Sequence, residues 1–339
     1  MGDHKESQQL PRSETDKQCV LLPLQEAFPT FYIKKLAAHF NLISFKKFDS
    51  DREKYGKDIV GFIFLFPVMP IVINRELLMS MPNLKVITLL SVGYEALDLE
   101  MLKERGIRAS YLPDVQSDAC ADAAIALLLA VSRRIVEAAV QYKDNVDIIS
   151  EPSRFVGREV TGSTIGIFGL GSIGIQVAER AKGFRMKILY HNRRKRSVKD
   201  DFDLGAVYVS NLYDMLPQVD FLVLCCPLTS ATRGIIGTKE LEAMKSSAIL
   251  INISRGGVVN TDALVDALHR GVIGGAGLDV TDPEPLTKDH PLFDLPNVVV
   301  IPHMAGATLE TRNRMMDLSI ENIVAGIEGK PMPSEIPIK

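Results

Sequence analysis

Tryptophan is absent from the 339 residues, and cysteine occurs four times, at Cys19, Cys120, Cys225 and Cys226. Four cysteines without metal-ligand spacing, two of them adjacent in an apolar run, argue against a disulfide scaffold or a zinc site. They are expected to be reduced, buried thiols of a reducing compartment. Long apolar runs are also missing. The longest, such as those at 123–131 and 62–66, fall far short of the roughly 20 residues needed to span a bilayer, so they are core segments. An excess of one charge is missing as well. With 39 Lys and Arg against 42 Asp and Glu, the formal net charge is −3, which points to neither a nucleic-acid nor a membrane partner.

What is present is ordinary for a globular protein: 46% hydrophobic and 24% charged residues. The length exceeds what one hydrophobic core usually organises, so two domains are expected. The opening stretch MGDHKESQQLPRSETDKQ is polar, mixed in charge and without the apolar segment of a secretory signal; it reads as a disordered tail over residues 1–18. Glu6 stands where the myristoylation pattern wants Ser or Thr, and the final IPIK is no peroxisomal address. The expected location is the cytoplasm.

Apolar runs bounded by turn signals alternate twice with helical patterns, the mark of parallel α/β architecture. Strands are expected over 19–24, 59–65 and 85–90, with helices around 30–39 and 74–79 between them. A long amphipathic helix is expected from Asp118 to Gln141, carrying Ala121, Ala124, Leu127, Leu128 and Val131 at three- and four-residue spacing. Further strands follow at 164–168, 186–190, 221–225, 248–252, 275–279 and 298–301, and one more helical pattern covers 309–329. The fold class is therefore two Rossmann-like, doubly wound parallel-sheet domains with an interdomain cleft. Residues 19–117 and 309–339 would form a flavodoxin-like substrate domain, and 118–308 the dinucleotide-binding domain.

Gly169, Leu170, Gly171, Ser172, Ile173 and Gly174 spell GLGSIG between the strand TIGIF and a helix-compatible run. That context turns a common pattern into a mechanism. Gly169 permits the tight turn, Gly171 lets backbone approach a pyrophosphate, Gly174 allows close helix packing, and the helix N-terminus attracts phosphate. The next strand ends in Asn192, Arg193 and Arg194, where an NAD-preferring site would place an acid for the ribose hydroxyl. Arginine forks there suit a 2′-phosphate, so NADPH is expected rather than NADH.

Downstream stand Arg255 in ISRGG, Glu284 in DPEP and His303 in PHMAG. Arg255 and His303 follow apolar strands, at the ends where ligands bind in open α/β sheets. A guanidinium there can grip a carboxylate bidentately. Glu284 is expected to be a buried loop carboxylate, aimed by the flanking Pro283 and Pro285, each of which fixes its own φ. Beside His303 it would stabilise the protonated imidazole and make it a general acid. His39 and His269 lie on helical stretches and are expected to be structural.

The stretches LLSVGYEALDLEMLKERGI, ADAAIALLLAVSRR, GLGSIG, INISRGGVVN, GGAGLDVTDPEP, VIPHMAGAT and GKPMPSE together resemble the D-isomer-specific 2-hydroxyacid dehydrogenases, and among them the glyoxylate/hydroxypyruvate reductases. The resemblance implies NADPH-dependent reduction of hydroxypyruvate to D-glycerate and of glyoxylate to glycolate. It implies that Arg255 binds substrate, that Glu284 and His303 form the acid/base pair, and that Val92 and Gly93 offer backbone N–H groups to the substrate carboxylate. Ile253 and Asp279 would hold the nicotinamide, Pro227 and Thr232 the adenosine side, and Gly306 would border the cofactor. No metal is implied. A homodimer is, with the alanine-rich face of 121–134 in the interface.

Three departures bear on substrate choice. Relatives place a tryptophan in the segment corresponding to 146–155, where this chain has none; Cys120 stands where threonine is frequent; and Met304-Ala305 replaces Ile-Gly. The alternatives are a reductase of another 2-keto acid, such as 2-ketogluconate or an aromatic pyruvate, and a cofactor-sensing corepressor like the C-terminal-binding proteins, which share the fold and a similar Arg/Glu/His set.

Overall fold

A computed structural model describes residues 17–23, 25, 28, 30–64, 71–95, 97–143, 153–197 and 203–338. The tail through residue 16, the expected strand ends at Leu24 and Leu65, and most of the segment corresponding to the missing tryptophan lie outside the described residues. Contacts divide the chain into two units, Met1–Val115 with Leu309–Lys339, and Gln116–Thr308.

The smaller unit is a five-stranded parallel sheet of β1 (Cys19–Leu21), β2 (Asn41–Ile43), β3 (Ile59–Phe64), β4 (Val86–Leu89) and β5 (Arg108–Ser110), in the order β2-β1-β3-β4-β5. This is the flavodoxin-like doubly wound order. Val, Ile, Leu and Phe fill β3 and β4 because both faces are covered. The C-terminal helix Leu309–Ile327 closes one face, sending Met315, Met316, Ile320, Ile323 and Ile327 into the core beside Val20, Ile63 and Val86. Gly61 lets this helix approach, since a Cβ there would lie 2.8 Å from Ile323 Cδ1.

The larger unit carries seven parallel strands: β6 (Thr164–Phe168), β7 (Lys187–His191), β8 (Ala206–Tyr208), β9 (Phe221–Leu224), β10 (Ile249–Asn252), β11 (Gly275–Leu278) and β12 (Val298–Val300). Their order is β12-β11-β10-β9-β6-β7-β8, a Rossmann arrangement with one added strand. The order reverses between β6 and β9, so the crevice for a ligand opens at their carboxyl ends. One core packs β6, β9 and β10 under the helices Ser117–Ser132 and Ser172–Gly183; a second fills the opposite face with Leu222, Leu224, Leu250, Leu264, Leu268 and Leu278. Among the described residues no helix is long and apolar enough to cross a membrane.

The long helix expected over 118–141 is two. The first spans Ser117–Ser132 and the second Ile135–Lys143, with Arg134 at φ 53° between them. Arg133 and Arg134 close the first helix by donating to the carbonyls of Leu129 and Val131, the left-handed ending usually taken by glycine. Arg134 is held there by a bidentate pair with Glu137, both contacts at 2.7 Å, and by the Arg154 carbonyl at 2.6 Å. The alanine-rich face assigned to a dimer contact is also corrected. Ala121, Ala124, Leu127, Leu128 and Val131 are spent inside the core of their own unit, so they are not free to meet a partner. Exposed apolar side chains sit instead on the second helix, at Ile135, Val136, Val140 and Tyr142.

Candidate active site

The glycine loop turns off the carboxyl end of β6. Gly169 has φ 104°, and a Cβ on it would come within 2.7 Å of the Cys226 backbone nitrogen, so both conformation and space demand glycine. Gly174 is pressed on the loop itself, where a Cβ would lie 2.3 Å from the Gly169 carbonyl oxygen. Gly171, in contrast, meets nothing within 4 Å of its would-be Cβ. It is the residue before the helix Ser172–Gly183, whose first intrahelical bond runs from Ile175 N–H to the Gly171 carbonyl at 2.9 Å. The preceding N–H groups thus point past the helix start, over open space, which fits a pyrophosphate.

Asn192 serves this loop directly. Its Oδ1 accepts the Leu170 N–H at 2.7 Å, so that oxygen is already committed to holding the turn. Arg193 and Arg194 are exposed and make no hydrogen bond or ion pair among the described residues. Arg196 donates from Nη1 to the Leu170 carbonyl at 2.9 Å, so the peptide units on both sides of Leu170 are held. Pro227 and Thr232 are joined across the loop after β9, the threonine hydroxyl donating to the Pro227 carbonyl at 2.7 Å.

Arg255 sits in a buried turn past β10. Ser254, Gly256 and Gly257 are buried, and Arg255 is half-buried, its Nη1 donating to the Ser254 carbonyl at 2.8 Å. Asn252 braces this turn: its side chain donates to the Arg255 carbonyl at 3.0 Å and accepts from the Ser254 N–H at 3.0 Å and hydroxyl at 2.8 Å. An asparagine ending the apolar strand ILIN was the available signal, and the sequence reading did not use it. Ile253 is buried beside it.

His303 follows β12 with φ 50°, a conformation that strains a side-chain-bearing residue. Asp279 holds it. The His303 N–H donates to the Asp279 carbonyl at 2.9 Å, and the Asp279 carboxylate accepts the N–H groups of Met304 and Ala305 at 2.6 and 3.0 Å. Burial pushes the Asp279 carboxyl above the usual carboxylate range, against the opposing pull of these N–H donors and of His303. Gly306 closes the turn against Gln116, whose Oε1 would lie 2.6 Å from any Cβ at that position.

Glu284 reaches His303: imidazole Nδ1–H donates to Oε1 at 2.7 Å. The expected burial of Glu284 is corrected, because its loop lies on the surface and its side chain is 30% exposed. With Nδ1 engaged, Nε2 is the ring nitrogen left to exchange a proton. The Arg255 turn and the Glu284 loop touch through backbone, since a Cβ at Gly256 would fall 1.9 Å from the Thr281 carbonyl oxygen. Val92 and Gly93 belong to the smaller unit, just past β4, where the Ser91 hydroxyl donates to the Gly93 carbonyl at 2.7 Å.

Cys120 and Cys226 are buried, and Cys19 and Cys225 are partly buried against the cores of their units. Burial pushes Cys120 and Cys226 up to about 12, with Asp279 adding to the shift at Cys120. Thiols so protonated are poor nucleophiles at neutral pH. Among the described residues no group of three or more His, Cys, Asp or Glu could hold a metal ion.

Comparison with known proteins agrees with this architecture. The family model described as D-isomer specific 2-hydroxyacid dehydrogenase, NAD binding domain, matches residues 125–305. The human glyoxylate reductase/hydroxypyruvate reductase is 44% identical over 254 residues, covering 75% of this chain and 77% of its own. The Thermococcus litoralis glyoxylate reductase is 45% identical over 266 residues, covering 77% and 80%. Among solved structures, the NADPH-dependent glyoxylate/hydroxypyruvate reductase of Sinorhizobium meliloti, in complex with NADP and malonate, superposes with a TM-score of 0.82 at 30% identity, covering 95% of this chain and 97% of that one. A glycine loop at the switch point of a Rossmann sheet, and an imidazole–carboxylate pair at its rim, thus sit in a chain that belongs to the D-isomer specific 2-hydroxyacid dehydrogenase family.

Proposed function

We propose that this chain reduces small 2-keto acids, hydroxypyruvate to D-glycerate and glyoxylate to glycolate, with a preference for NADPH. The observation that carries the reading is the 2.7 Å contact from His303 to Glu284, which fixes one imidazole nitrogen and frees the other. The names of the human, Thermococcus and Sinorhizobium relatives support the substrate class.

When bound, the nicotinamide supplies a hydride to C2 of the keto acid. Arg255 grips the substrate carboxylate as a charged fork and polarises the keto oxygen. Val92 and Gly93 offer backbone N–H groups as donors to a substrate carboxylate. His303 gives a proton from Nε2 to the oxygen as it becomes an alkoxide, and Glu284 stabilises the imidazolium that makes this transfer. Asp279 and Ile253 hold the nicotinamide end, and Asp279 also keeps the strained His303 turn in place. The glycine loop and the start of its helix hold the pyrophosphate, Pro227 and Thr232 line the adenosine side, and Gly306 borders the cofactor. Arg193 and Arg194, exposed beside the end of β7, take the 2′-phosphate.

The active form is a homodimer, with the exposed Ile135, Val136 and Val140 as the apolar surface that a second copy covers. The location is the cytoplasm. Optical measurement of NADPH oxidation by the purified protein tests the activity, with hydroxypyruvate and glyoxylate set against pyruvate and 2-ketogluconate, and NADH against NADPH. Fast turnover with the first two acids and NADPH is expected. Faster turnover with another 2-keto acid would reassign the substrate, and cofactor binding without turnover would favour a sensing role.

A further inference from the structure

Three loops meet where the substrate chemistry is placed: the one after β9 that ends at Gly234, the Arg255 turn after β10, and the Glu284 loop after β11. Their contacts are close. Gly234 N–H donates to the Gly257 carbonyl at 2.8 Å, and Ile236 N–H to that of Val258 at 3.1 Å. The Thr261 hydroxyl donates to the Asp282 carbonyl at 2.6 Å, and the Thr281 hydroxyl to that of Pro283 at 2.9 Å. Over this stack lies one ion pair, Arg233 Nη1 to Asp282 Oδ2 at 3.8 Å. It rests on Gly257, where a Cβ would stand 3.1 Å from Nη1 and 3.2 Å from Oδ2.

We propose that Arg233 is a positioning residue which, through Asp282, braces the loop carrying Glu284 and so sets the angle at which Glu284 meets His303. The proposal rests on the catalytic reading of the His303–Glu284 pair given above. Asp282 lies two residues before Glu284, so a turn of its side chain is passed on through Pro283 alone. Arg233 and Asp282 are 64% and 53% exposed, and an ion pair so solvated adds little to stability. Its effect falls instead on orientation, where a displacement on the order of 1 Å can cost far more in rate than in folding free energy.

The test compares Arg233→Ala, Arg233→Lys and Asp282→Asn in the full chain by steady-state kinetics, NADPH affinity and the His303 Nδ1–H proton resonance of ¹⁵N-histidine-labelled protein. For Arg233→Ala and Asp282→Asn, kcat is expected to fall about five- to tenfold while KM for the keto acid and NADPH affinity stay within about twofold. The resonance is expected to move or broaden in both and to return in Arg233→Lys, which also recovers most of kcat. An unmoved resonance in Arg233→Ala overturns the brace whatever the turnover, and so does a rise in KM at constant kcat. A displaced resonance with kcat intact leaves the brace standing and overturns the catalytic role of the His303–Glu284 pair instead.

Discussion

The Arg255 turn and the Glu284 loop touch one another, yet they are built on opposite principles. Around Arg255 the chain is buried, and the Asn252 side chain meets the turn three times within 3.0 Å. Around Glu284 the chain is exposed, and its hold on His303 is a single 2.7 Å contact at the end of a surface loop. A grip of fixed geometry suits a buried turn braced by a buried side chain. A carboxylate that acts through an imidazole needs only the right angle, so it can stand on the surface if its loop is braced. Damage to the first region should therefore cost stability and activity together, whereas damage to the second should cost activity alone.

The largest effect is expected at the end of the exposed contact. His303→Ala should lower kcat with hydroxypyruvate on the order of a hundredfold or more, with the thermal midpoint nearly unchanged. A folded variant retaining most of its turnover would remove the general-acid assignment. Asn252→Ala probes the buried region: it takes away the acceptor of the Ser254 N–H and hydroxyl and leaves the Arg255 carbonyl only its bond from Val258 N–H, which should cost about 1–3 kcal/mol in denaturant unfolding and also raise KM for the keto acid. If stability held while activity fell, the contrast between the two regions would be wrong.

A smaller effect is expected where the site is most exposed. Replacing Arg193 and Arg194 together by alanine should raise KM for NADPH about tenfold or more and leave that for NADH almost unchanged, since each charge-assisted contact to phosphate is worth roughly 1.5–3 kcal/mol. Equal losses with both cofactors would place these arginines away from the 2′-phosphate. The smallest effect lies in the other unit. There the Arg108 guanidinium holds the Glu335 carboxyl below its usual range, with contacts of 2.7 and 2.5 Å. A depressed acid contributes stability that is present above its unfolded value of 4.5 and is lost as pH falls through the lower folded value. Glu335→Gln should thus destabilise by under about 1 kcal/mol at neutral pH and by progressively less as pH falls below 4.5. A difference that persists in acid would point to packing rather than charge.

Much of the fold could be read from the chain before its structure. Six strands of the larger sheet were expected within one residue of β6, β7, β9, β10, β11 and β12, because short, mostly apolar runs bounded by turn signals mark buried parallel strands. The strands that escaped notice, Asn41–Ile43, Arg108–Ser110 and Ala206–Tyr208, have three residues each. The break at Arg134 was hidden for a different reason. Neither glycine nor proline marks it, and a left-handed arginine held by Glu137 and the Arg154 carbonyl is decided by tertiary contacts.

Within the site, residue types named the candidates, but their supports were silent. Nothing in the spacing of Asp279 and His303 reveals that a buried carboxylate answers two N–H groups of the histidine turn. Nor did it show that Glu284 is exposed, since the flanking prolines speak for stiffness and not for depth. Arg196 carries no mark in the sequence that sets it apart from its basic neighbours, although it reaches back to the glycine loop.

The most direct measurement is a double-mutant cycle on Glu284 and His303, with kcat for hydroxypyruvate reduction as its readout. If the exposed carboxylate works only through the imidazole, Glu284→Gln combined with His303→Ala should be no slower than His303→Ala alone. Losses that multiply would show that Glu284 acts on the substrate independently, and would contradict the pairing on which the proposed mechanism stands.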